Sequence, residues 1–115
     1  MEEIGMKYDR GARVYAAMRG GVVRELKPTS GQRSYWGKAY VATGRDGRCI
    51  LYSYNTPIIE VSADRNKIKT HWCGYSATTM KHINDFMAEI YGDREMNGKK
   101  WWTKFCTEHR DFSID

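Results

Sequence analysis

Three blocks decide the architecture: SYWGKAYV (residues 34–41), LYSYNTPII (residues 51–59) and GYSATTMKHINDFM (residues 74–87). The first two alternate with period two, the signature of a half-buried strand. The third changes to a helical period, with Met80, Ile83, Phe86 or Met87, and Ile90 on one stripe. That order implies an α+β fold: a four- to five-stranded antiparallel sheet packed against one amphipathic helix, with short helical extensions at both ends.

Working outward, Tyr35–Thr43 reads as the clearest strand. Gly44-Arg45-Asp46-Gly47 reads as a hairpin turn, with Asp-Gly as the cue. Arg48–Tyr54 follows as a strand, and Asn55-Thr56-Pro57 interrupts before Ile58–Ser62 resumes. Ala63–Asn66 turns, and Lys67–Trp72 is the last strand. Upstream, Val22–Lys27 reads as a first strand, preceded by a short helix over 8–18 with Tyr8, Val14 or Tyr15, and Met18 along it. Gly20-Gly21 stops that helix. Ser76 or Thr78 caps the main helix, which runs to Gly92 with Lys81, Asp85 and Glu89 outward and Lys81 paired to Asp85. Lys99–His109 forms a last helix. The chain thus divides into a basic N-terminal extension (1–21), a sheet-plus-helix core (22–92) and a Trp-rich C-terminal extension (93–115).

A chain of 115 residues makes one domain and buries enough surface to fold without disulfide or metal. No apolar run is long enough to span a bilayer, and the start MEEIGMK has no secretory signal. Three cysteines, an odd number, imply free thiols in a reducing compartment, the cytoplasm of a bacterium or of a host cell. The net charge of +5 lies entirely in residues 1–48, with ten Lys and Arg against five Asp and Glu. Such asymmetry fits a polyanionic partner.

Several chemistries find no support in the sequence. Gly44-x-x-Gly47 is a turn and no phosphate-binding glycine loop is present. A nucleophile arrangement from His82, Asp85 and Cys49 or Ser53 lacks an elbow or oxyanion loop, so no enzyme is expected. His71, Cys73, Cys106 and His109 have the ligand types for zinc but lack paired C-x-x-C spacing; Cys73 and Cys106 read as buried small side chains. Neither metal nor cofactor is expected. Tyr54, Thr79 and His82 could converge on a ligand. The plainer reading has Asn55 and Thr56 serving the bend, Thr78 capping the helix, and His82 bonded to a backbone carbonyl.

The positive signal is aromatic residues interleaved with basic ones. Arg33, Tyr35, Trp36, Lys38 and Tyr40 form one run, extended by Arg45 and Arg48; Lys99, Lys100, Trp101 and Lys104 form another. Aromatic faces stack on bases while cations meet phosphates. Adjacent helical positions lie about 100° apart, so Trp101 and Trp102 cannot share one core face and one of them meets solvent or a partner.

The blocks S-Y-W-G-K-A, L-Y-S-Y-N-T and S-A-T-T-M-K-H-I-N-D-F resemble a small family of uncharacterised domains from bacteriophages and Firmicutes. The resemblance covers about residues 22–91, with Lys81 in place of the usual Arg, and leaves the tail after Gly92 outside. It implies a phage or mobile-element origin and no agreed activity. A non-enzymatic accessory protein that binds and modulates a host protein or ribonucleoprotein machine fits these properties, an inhibitor of a CRISPR–Cas effector being the leading case. The alternatives are a small basic DNA- or RNA-binding regulator and a self-associating structural module, possible as a dimer.

Overall fold

Alternation in the first two blocks produces a five-stranded antiparallel sheet. The structure, a computed structural model, describes residues 8–28, 34–92 and 98–109. Its elements are α1 (Arg10–Met18), β1 (Val22–Glu25), β2 (Ala39–Thr43), β3 (Cys49–Ser53), β4 (Thr56–Val61), β5 (Ile68–Thr70), α2 (Ala77–Tyr91) and α3 (Lys99–His109). The strands lie in the order of the chain, each antiparallel to the next. Short turns permit this meander: Gly44 N–H donates to the Arg48 carbonyl at 2.7 Å.

Two expected boundaries moved, each for a backbone reason. Residues 35–38 form a turn, not strand, because Trp36 (φ +56°) and Gly37 (φ +74°) are both left-handed and break the pleat. The β3–β4 link is a two-residue turn at Tyr54 (φ +52°) and Asn55 (φ +66°), which places Pro57 inside β4. Two positive φ values match the twist of a tight hairpin. The ladder pairs Leu51 with Ile59 but Tyr52 with Pro57, so a register shift there accommodates the proline.

Helices cover both faces of the sheet. On one, Val41, Leu51, Ile59 and Val61 meet Ile83, Phe86 and Met87 of α2 and Trp102, Phe105 and Cys106 of α3. On the other, Ala42 and Ile50 meet Ala12 and Ala16 of α1, flanked by Tyr15, Val23, Tyr40 and Tyr52. The expected stripe on α1 is corrected: Val14 and Met18 are exposed, and the small residues Ala12 and Ala16 are buried. Small side chains let α1 lie close to the sheet; a Cβ on Gly11 would sit 2.6 Å from the Tyr52 ring.

Ser76, not Thr78, caps α2 by accepting from Thr79 N–H at 3.4 Å. Asp85, expected to point outward, is buried and accepts from the Tyr35 hydroxyl. On α3, Trp102 is the buried member of the Trp pair and its Nε1–H donates to the Gly74 carbonyl at 2.9 Å. Cys49 and Cys106 are buried, whereas Cys73 is exposed, contrary to expectation. No described helix is long and apolar enough to cross a membrane.

The α1–β1 connection tolerates only glycine at 21, since a Cβ there would lie 1.7 Å from the Thr43 carbonyl oxygen. Gly21→Ala should cost about 3 kcal/mol as β1 is pushed off β2. Urea unfolding reads this directly, and a midpoint equal to the parent's would refute the close approach.

Candidate functional site: an aromatic and basic end of the sheet

Ala39 pairs with Ser53 at the last rung of β2–β3, so Lys38 and Tyr54 emerge side by side at one end of the sheet. Tyr54 N–H donates to the Lys38 carbonyl at 2.8 Å. The start of α2 lies beneath them and the start of α1 beside them. Gly11 N–H donates to Asn55 Oδ1 at 2.7 Å, and the Tyr8 ring meets Tyr54 edge-on at 5.4 Å.

The outer layer of this end is held, not loose. Glu25 accepts from Ser34 Oγ at 3.0 Å and from Gly37 N–H at 2.8 Å. Ser34 Oγ in turn accepts from Trp36 N–H at 2.8 Å. These bonds fix a turn whose tip is Trp36, a left-handed tryptophan 69% exposed to solvent. A bulky left-handed residue carries a conformational cost that the surrounding bonds must offset. Tyr54 shares both properties, at 37% exposure.

Beneath lies a buried polar layer. Ser53 Oγ is 2.8 Å from His82 Nδ1 and 3.1 Å from Thr79 Oγ1. Tyr35 meets the His82 ring edge-on at 4.4 Å, and the Tyr54 ring lies 5.9 Å from it at a 40° tilt. His82 is fully buried, and its Nε2 has no hydrogen-bond partner. Burial pushes its pKa down to about 4; Asp85 opposes this, and Lys38 and Lys81 reinforce it. The imidazole is therefore neutral at neutral pH. Burial, then the bond to Asp85, raises the Tyr35 hydroxyl's pKa and keeps it protonated. Tyr54, Thr79 and His82 do converge, and His82 bonds a side-chain hydroxyl instead of a backbone carbonyl. Ser53 beside His82 has the composition of a nucleophile and base, but both are closed to solvent.

The structure separates the residues that sequence reasoning grouped. Trp36 and Lys38 sit at this end. Tyr35 is buried and supports the surface from below. Tyr40 is half-buried on the opposite face beside α1. Arg45 and Arg48 flank the other end of β2–β3, about 15 Å away along five strand residues. Arg48 is largely buried there, 3.9 Å from both Asp46 and Glu60. The continuous basic run is thus split by strand geometry. Arg33 lies outside the described residues. Lys99, Lys100 and Lys104 are exposed on α3, with Lys99 Nζ 5.9 Å above the Tyr75 ring. Trp101 is half-buried and stacks on Phe105 at 4.8 Å.

Sequence reasoning missed Glu60, whose signal was a carboxylate inside the apolar run Ile58-Ile59-Glu60-Val61. Tyr15 donates to it at 2.5 Å and His71 Nε2 lies at 3.2 Å, which ties α1 to the sheet. Burial alone would raise the Glu60 pKa, but His71, Tyr15 and Arg48 together hold it below the usual carboxylate range. His71 is thus engaged away from Cys73. Among the described residues no group of three His, Cys, Asp or Glu side chains could hold a metal ion.

A family model matches residues 24–104. The chain belongs to DUF8033, a family of unknown function. The matched segment of this DUF8033 chain contains every block quoted above, the buried Ser53–His82 layer and the Trp101–Trp102 pair, and leaves out α1. No curated protein and no solved structure matches the chain.

Proposed function

We propose that this chain is a non-catalytic binding protein that grips an exposed nucleic-acid strand within a host nucleoprotein complex. The observation that carries this reading is Trp36, held at the tip of a bonded turn yet largely in solvent. An exposed indole on a bonded backbone, two residues from Lys38, supplies a stacking platform and a cation, the two parts that single-stranded recognition uses. The net charge of +5 favours such a partner. A CRISPR–Cas effector, with its guide RNA, is the machine to which the phage resemblance points.

Fluorescence titration with a short single-stranded oligonucleotide at low salt tests the reading. Binding should quench Trp emission and weaken as salt rises. Trp36→Ala should reduce affinity about tenfold or more, consistent with ~1–3 kcal/mol per stacked base. Its thermal unfolding should be unchanged, because Trp36 contributes little to the core. Absence of binding, or equal binding by Trp36→Ala, defeats the reading. Inhibition of a Cas effector's cleavage at molar excess would then be the assay for the specific machine.

A further inference from the structure

Two features of the buried layer do not belong to an inert core. The first is His82. A buried polar atom left without a partner is costly, and such atoms in folded proteins call for an explanation. His82 Nε2 is such an atom, on a ring that is fully enclosed. The other nitrogen is held by Ser53, which fixes how the ring is oriented. The second is Tyr54. Its ring lies 5.9 Å from the imidazole at a 40° tilt while remaining partly exposed, on a two-residue turn whose left-handed backbone disfavours a bulky side chain. The other aromatic against His82, Tyr35, is tied to Asp85 and buried. The imidazole therefore has one wall that is fixed and one that is strained and reaches solvent.

We propose that Tyr54 is a lid, and that a nucleobase extruded from a bound strand displaces it and hydrogen-bonds to His82 Nε2. The ligand class follows from the shape and chemistry of the place the lid would vacate. A flat ring takes the place of a flat ring at the margin of the imidazole and beside Tyr35, where its edge can meet the plane of the His82 ring. The edge of a base offers both N–H donors and N or O acceptors, so it satisfies Nε2 in either tautomer. Reading an extruded base by stacking between aromatic side chains and by bonds to its edge is an established mode of recognition. Trp36 holds the neighbouring base and Lys38 the backbone. The inference rests on the nucleic-acid reading of this end, and its test separates the two.

Diethyl pyrocarbonate acylates accessible neutral imidazoles, and peptide mass spectrometry resolves His82 from His71 and His109. In the parent protein His71, which is exposed, should react and His82 should not. In Tyr54→Gly, where glycine accepts the left-handed backbone, the His82 rate should rise at least about tenfold, as local closure is lost. A single-stranded oligonucleotide should then protect His82 without protecting His71. Thermal unfolding confirms that the variant is folded; Tyr54→Asn, which also tolerates that backbone, serves if it is not. In the parent protein, oligonucleotide addition should shift the His82 Nε2 resonance in nitrogen-15 NMR. An unreactive His82 in both folded variants overturns the lid, even when the strand binds through Trp36. A reactive His82 with no binding of the strand to the parent overturns the base contact and the nucleic-acid reading together. Binding through Trp36 with no shift at Nε2 overturns the base contact alone.

Discussion

Acidification from pH 6.5 to pH 4 should cost the folded protein about 3 kcal/mol through one side chain, His82, at roughly 1.4 kcal/mol per pH unit. In the unfolded chain the imidazole takes up a proton near pH 6.5; buried beneath Tyr54 it does so only near pH 4. Between these values the unfolded state binds the proton and the folded state does not. The contribution is complete above pH 6.5, falls with pH through that window, and is fully lost below about pH 4. Urea unfolding at a series of pH values measures it. His82→Gln removes the titrating group at similar volume and keeps an amide able to bond Ser53, so stability at pH 7 should change by less than about 2 kcal/mol. The decline between pH 6.5 and 4 should flatten in that variant. An unchanged decline would assign the effect elsewhere. Glu60 acts in a lower window: its folded carboxyl is held below the ordinary value of 4.5, so its contribution is present above that pH and lost as pH falls further.

Trp102→Ala should destabilise the protein by about 3–5 kcal/mol, the largest effect of a single truncation in this core. The indole is 1% exposed, bonds the Gly74 carbonyl, and stacks near Trp72 and Phe105 at 6.1 and 5.9 Å. Its removal opens a cavity between α3 and the sheet and leaves that carbonyl without its donor. For a chain of this length the melting temperature should fall by on the order of 10–20 °C. Trp101→Ala is the matched control. That half-buried ring loses mainly its stack on Phe105, worth about 1 kcal/mol. A larger loss for Trp101→Ala than for Trp102→Ala would mean that the assignment of inner and outer tryptophan is reversed, and equal losses would refute the distinction.

These two residues also show what could be read before folding was known. The argument that adjacent helical positions cannot share a core face applies to Trp101 and Trp102 from spacing alone, but which one faces inward depends on where α3 meets β5. Similarly, His82 stands out in the sequence beside Thr79, yet its partner Ser53 is 29 residues away and becomes a neighbour through the last rung of β2–β3. The turn at Tyr54-Asn55 was hidden because neither residue is glycine, and a proline two positions on suggested a break, not a strand. The basic run looked continuous because sequence distance ignores the length of a strand; β2 puts Lys38 and Arg48 at opposite ends of the sheet.

Local pattern by itself determined the antiparallel α+β class with four to five strands, the hairpin at Gly44–Gly47 and the two C-terminal helices. Period-two and period-3.6 alternation, together with turn chemistry, act over a few residues and so are present in the linear chain. Tertiary structure decided that helices cover both faces, that Asp85 is buried against Tyr35, and that Lys38 and Tyr54 join at the end of the sheet where His82 is buried. Those outcomes depend on register and on which small residues permit close approach, Gly21 and Ala16 among them. Such constraints act between segments far apart in sequence, and no local periodicity encodes them.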